Sequence, residues 1–87
     1  MEKNIIPRKT GDFERIAMSD GTVIHRNEFI HTLNQTGLEI FDLCDGSLDV
    51  SGIIEEMEKI YSDENLETVI GDYLYQLHKC GLINLEP

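Results

Sequence analysis

Leu33-Asn34-Gln35-Thr36-Gly37-Leu38-Glu39-Ile40-Phe41-Asp42-Leu43-Cys44-Asp45-Gly46 reads as the exit from a strand, a capped helix and a glycine stop. Asn34 can accept a hydrogen bond from an orphan donor of the first helical turn. Leu38, Phe41, Leu43 and Cys44 give a helix of about ten residues one apolar side. Gly46 supplies the positive φ that commonly follows a last helical turn, and Asp45-Gly46 is a turn dipeptide. So short a helix is marginal alone, and its apolar side predicts that it docks on other elements.

Upstream of this stretch, Phe13 to Met18 has the apolar content of a strand, and Ser19-Asp20-Gly21 is a turn signal after it. Thr22 to Arg26 supplies a second strand, and Asn27-Glu28 turns the chain into a third, Phe29 to Leu33. In that third strand Phe29, His31 and Leu33 share one side while Ile30 and Thr32 take the other. Three short strands in succession predict an antiparallel meander.

Downstream, Asp49 is placed to cap a helix over Val50 to Ile60, where Val50, Ile53, Ile54, Met57 and Ile60 recur at helical spacing. A third helix follows Tyr61-Ser62-Asp63-Glu64-Asn65. Leu66, Val69, Ile70, Tyr73, Leu74, Leu77 and Cys80 give it an apolar arc wider than one packing seam, and Gly81 ends it. Leu66, Ile70, Leu74 and Leu77 form the core stripe, with Val69, Tyr73 and Gln76 along one flank. Leu82, Ile83 and Leu85 make a short apolar tail. The predicted order is β-β-β-α-α-α, an α+β domain over residues 13–85, preceded by a flexible segment over residues 1–12.

At 87 residues one domain is expected, with a core able to close without metal or disulfide. The two cysteines, Cys44 and Cys80, are too few and too far apart for a disulfide framework or a zinc spacing, and both are expected as buried free thiols. No apolar run suits a secretion signal or a membrane span, so a cytoplasmic location with no membrane partner is expected. The formal charge is −10, and its distribution is uneven: residues 1–35 hold five basic and five acidic side chains, while residues 36–72 hold eleven acidic ones and only Lys59. An acidic helical half repels a phosphate backbone, which argues against nucleic acid as a partner.

Nothing in the chain reads as a catalytic, cofactor or metal site. His25, His31 and His78 have no acid and nucleophile at relay spacing, and the apolar setting of Cys44 disfavours a thiolate. Glu55 and Glu56 are adjacent and so do not share a helical face, whereas Glu55 and Lys59 have the spacing of a surface pair. The glycines form no phosphate-binding fingerprint. Recognition is better motivated, because a meander leaves sheet edges and a helix beside one edge makes a slot for an extended peptide. The alternative use of the wide third-helix arc is core closure or a homodimer.

The chain resembles the pyrroloquinoline quinone biosynthesis protein D (PqqD) family, small peptide chaperones that serve as recognition elements for ribosomally made, post-translationally modified peptides. The resemblance runs from Phe13 to Leu85. It is carried by Leu33-Asn34-Gln35-Thr36-Gly37, Ile40 to Gly46, Tyr73-Leu74-Tyr75-Gln76-Leu77 and Gly81-Leu82-Ile83. It implies a winged-helix-like domain in which a precursor's leader peptide adds to the third strand and lies against the third helix. Its peptide-binding residues would then be Glu28, Phe29, Ile30, His31, Thr32 and Leu33 with Val69, Tyr73 and Gln76. It also implies a non-catalytic role beside a peptide-modifying enzyme, such as a radical S-adenosylmethionine enzyme. One departure stands out: family members often carry an acidic residue followed by an aliphatic one where this chain has Val69-Ile70. The alternative function is a winged-helix regulator or another protein-interaction subunit.

Overall fold

The structure is a computed structural model that describes all 87 residues except for the side chain of Phe29. It comprises β1 (Ile6–Lys9), β2 (Glu14–Met18), β3 (Gly21–Arg26), β4 (Phe29–Leu33), α1 (Gln35–Leu43), α2 (Val50–Glu58), α3 (Leu66–Lys79) and β5 (Ile83–Glu86). The expected class therefore holds: an antiparallel sheet in the order β2-β3-β4 leads into three helices. Each hairpin closes over two residues, with Met18 opposite Gly21 and Arg26 opposite Phe29. Asn27 takes a φ of 55° in the second turn, a conformation asparagine tolerates better than most residues.

The helix starts follow the sequence closely. The Asn34 side chain accepts from the Gly37 N–H at 2.8 Å, and the Asp49 side chain accepts from the Gly52 N–H at 2.8 Å. Gly46 adopts a φ of 82°, which allows the chain to leave α1 and turn toward α2. The faces that these helices bury meet in one core: Ile40, Phe41 and Cys44 around α1, Val50, Ile53 and Met57 of α2, and Leu66, Ile70, Leu74 and Leu77 of α3. Ile24 joins them from the central strand, and Leu82 and Ile83 from the chain's end. Arg15 of β2 makes two side-chain hydrogen bonds to Asp42 of α1, fastening the outer strand to the helical layer.

Three expectations differ from the structure. The first is the segment over residues 1–12, expected to be flexible: it carries β1, which pairs antiparallel with β5 from Ile6 opposite Glu86 to Lys9 opposite Ile83. The carbonyls of Ile5 and Lys3 also accept from the N–H groups of Val50 and Ser51, satisfying donors in the first turn of α2 that have no partner within the helix. The tail at Leu82 to Leu85 thus enters a second, two-stranded sheet. The second difference is the surface pair of α2, where Lys59 meets Glu56 at 2.8 Å in place of Glu55. Either spacing, three or four residues, puts partners on one helical face.

The third is Cys80, which is exposed at the end of α3, while Cys44 is fully buried. Burial pushes the Cys44 thiol up to about 12, opposed by the positive charge of Lys9 and assisted by the carboxylates of Asp45 and Asp42. In the unfolded chain the same thiol ionises near 9. Its contribution to stability is therefore complete below about pH 9 and is lost as pH rises toward 12, because only the unfolded state releases the proton there. Urea unfolding of the wild type and of Cys44→Ala between pH 8 and 10.5 checks this. The wild type should lose stability faster with pH than the variant, and parallel slopes would contradict the assignment.

Candidate functional site

β4 is an edge strand, with β3 on one side and, among the described residues, no strand on the other. The closing pair of a two-residue hairpin exchanges main-chain hydrogen bonds, and such pairs then alternate with non-bonded ones. Arg26–Phe29, Ile24–His31 and Thr22–Leu33 are accordingly the bonded pairs. The N–H and C=O groups of Ile30 and Thr32 therefore point away from β3, toward the open edge. These are the groups that an added strand would pair with.

The side chains alternate as expected. Ile24, opposite His31, is buried in the core, so His31 and Leu33 lie on the inner face, where both are half-buried. Ile30 and Thr32 occupy the outer face, and Ile30 is 68% exposed. The side chain of Phe29 lies outside the described residues. Glu28, named with the strand residues as peptide-binding, sits in the turn before β4, where Asn27-Glu28 is expected to turn the chain.

On α3, the core stripe of Leu66, Ile70, Leu74 and Leu77 is buried as expected. Val69, Tyr73 and Gln76 lie on its flank and line a shallow depression of about 220 Å³ together with Asp72. These four positions follow the i, i+3, i+4, i+7 rule of a single helical stripe. That rule was the signal that could have found Asp72, which reads in isolation as one more solvated carboxylate. No β4 residue lines the depression; the connection between helix and strand runs through Tyr73.

The Tyr73 hydroxyl meets the Asn34 side chain, the residue that immediately follows β4. Because the Asn34 Oδ1 accepts from the Gly37 N–H, its Nδ2 is left to donate to the Tyr73 hydroxyl oxygen at 2.7 Å. A Cβ on Gly37 would come within 3.1 Å of the Tyr73 ring, so the glycine allows the ring to lie over the first turn of α1. Asn34, Gly37 and Tyr73 form one clasp at the point where strand, helix start and α3 converge. Sequence reasoning assigned Asn34 only to capping and missed its bond to α3.

The other candidate groups are dispersed. His25 approaches Glu14 at 3.4 Å on the outer sheet face, and His78 Nδ1 lies 3.2 Å from the Ile83 carbonyl. Among the described residues, no three His, Cys, Asp or Glu side chains gather where they would hold a metal ion. No helix is long and apolar enough to cross a membrane.

The family model of coenzyme PQQ synthesis protein D (PqqD) matches residues 17–83, most of the chain. The chain belongs to the PqqD family. A search of curated proteins and a search of solved structures find no match. The PqqD match begins within β2 and ends at the first residue of β5, so it takes in the β4 edge, α1 and all of α3. β1 and the first three residues of β2 lie before the matched span. The family's name ties it to coenzyme PQQ synthesis.

Proposed function

We propose that this PqqD-family chain is a non-catalytic adaptor that binds the leader segment of a ribosomally made precursor and presents it to a modifying enzyme. A radical S-adenosylmethionine enzyme is the partner class favoured by the family resemblance. The observation that carries the reading is the open β4 edge, where the main-chain groups of Ile30 and Thr32 face outward beside the Tyr73 clasp. Strand addition draws affinity from main-chain hydrogen bonds, and the side chains beside the slot select the register. The flank of Val69, Tyr73 and Gln76 is the surface assigned to that selection.

The test is a titration of the isotope-labelled chain with the N-terminal segment of a precursor encoded beside its gene. Amide shifts concentrated in residues 28–33 and along α3 are expected. Shifts confined to other regions would contradict the groove.

The acidic half of the molecule bears on encounter. Its ten net negative charges all arise from residues 36–72, and a field of that kind speeds approach of a positively charged partner at low salt. Stopped-flow association with a basic enzyme or precursor should slow as ionic strength rises from about 0.05 M to 0.5 M, because the screening length falls several-fold. A flat association rate across that range would leave the charge as a solubility feature.

A further inference from the structure

We infer that the α3 depression receives a lysine or arginine side chain of the bound peptide, with Asp72 as the residue that reads its charge. This deepens the strand-addition reading and rests on it. Val69, Asp72, Tyr73 and Gln76 line the depression, its lining surface is almost wholly apolar, and the exposed Asp72 carboxylate stands at its edge toward solvent. One edge of the Tyr73 ring is taken by Gly37, since the glycine's missing Cβ would meet Cε1 and Cδ1. The hydroxyl is held by Asn34. The ring is thereby fixed in place and presents a rigid surface to whatever enters.

The depression, about 220 Å³ and open to solvent, has room for one long side chain to lie along it. A basic side chain fits its chemistry from stem to tip. The methylene stem of lysine or arginine covers apolar surface while keeping its charged end near water. A cation beside an aromatic ring gains from the ring's quadrupole. Asp72 is exposed and has no side-chain partner among the described residues, so no ion pair must break before it meets that cation. No basic side chain lines the depression. The ten other acidic residues of 36–72, set against Lys59 alone, add to the preference for a cation and against a carboxylate.

The experiment uses the full chain and a panel of synthetic ten-residue peptides that alternate threonine and isoleucine and differ at one central position. That position is arginine, lysine, norleucine or glutamate. Affinity is read from amide shifts of α3, and docking at the edge from amide shifts of residues 29–33. The arginine and lysine peptides should bind roughly tenfold more tightly than the norleucine peptide at low salt, the range of a cation–π contact plus an exposed ion pair. The glutamate peptide should bind weakest. In Asp72→Asn, with an unchanged unfolding curve, the advantage of arginine over norleucine should shrink to about threefold or less, the share left to the ring.

Equal binding of arginine and norleucine peptides at the β4 edge would overturn the charge preference and leave strand addition standing. An undiminished arginine advantage in Asp72→Asn would remove Asp72 from the role. If no peptide shifts residues 29–33, strand addition falls and the proposal falls with it.

Discussion

Proline at Ile30 or Thr32 should abolish most peptide binding while leaving the domain folded. The N–H of each residue points to the open edge, so its loss breaks no bond to β3, and proline is tolerated on edge strands for that reason. The incoming peptide, however, would bury a carbonyl with no donor. Leaving such a group unsatisfied costs about 1–3 kcal/mol, or roughly fivefold to 150-fold in affinity. His31→Pro is the control, because its N–H bonds to Ile24 within the sheet. That variant should lower the unfolding midpoint, whereas Ile30→Pro and Thr32→Pro should lower it far less. Unchanged peptide affinity in a folded Thr32→Pro chain would exclude pairing along this edge.

Tyr73→Ala should weaken peptide binding by about 1–3 kcal/mol, the range of a central aromatic anchor. It should also destabilise the fold, since the ring covers Gly37 and the hydroxyl bonds Asn34. Tyr73→Phe separates these effects. It keeps the ring and removes only the bond to Asn34, worth about 0.5–1.5 kcal/mol of stability. Peptide titration should therefore show near-normal affinity for the phenylalanine variant and a clear loss for the alanine variant, with denaturant unfolding run on both. Normal affinity in folded Tyr73→Ala would make Tyr73 purely a structural residue.

Much of the fold was legible because its signals are local. Asn34 and Asp49 cap helices through bonds to residues three positions on, and Gly46 and Gly81 mark helix ends by a backbone freedom specific to glycine. The alternation in β4 follows from the period of a strand, and the α3 core stripe from the period of a helix. What escaped depends on partners distant in sequence. β1 and β5 join opposite ends of the chain, and Ile6-Pro7-Arg8-Lys9 has no alternation to announce a strand. Cys80 continues the α3 periodicity, yet the helix ends beside it and leaves it in solvent.

The candidate site was legible in the same uneven way. Val69, Tyr73 and Gln76 lie on one flank because helix geometry puts them there, and the structure shows them sharing a depression. Asp72 belongs to the same stripe but resembles the ten other acidic residues of 36–72, so its position is informative only once the recess is seen. The bond between Tyr73 and Asn34 has no sequence signature. It arises because α1 and α3 pack together and Gly37 admits the ring.

Amide hydrogen exchange at β4, measured residue by residue with and without saturating leader peptide, tests strand addition most directly. In the free chain His31 and Leu33 should already be protected by β3, while Ile30 and Thr32 exchange rapidly from the open edge. Peptide should slow Ile30 and Thr32 by at least tenfold and change His31 and Leu33 far less. Rapid exchange persisting at Ile30 and Thr32 in the saturated complex would contradict strand addition.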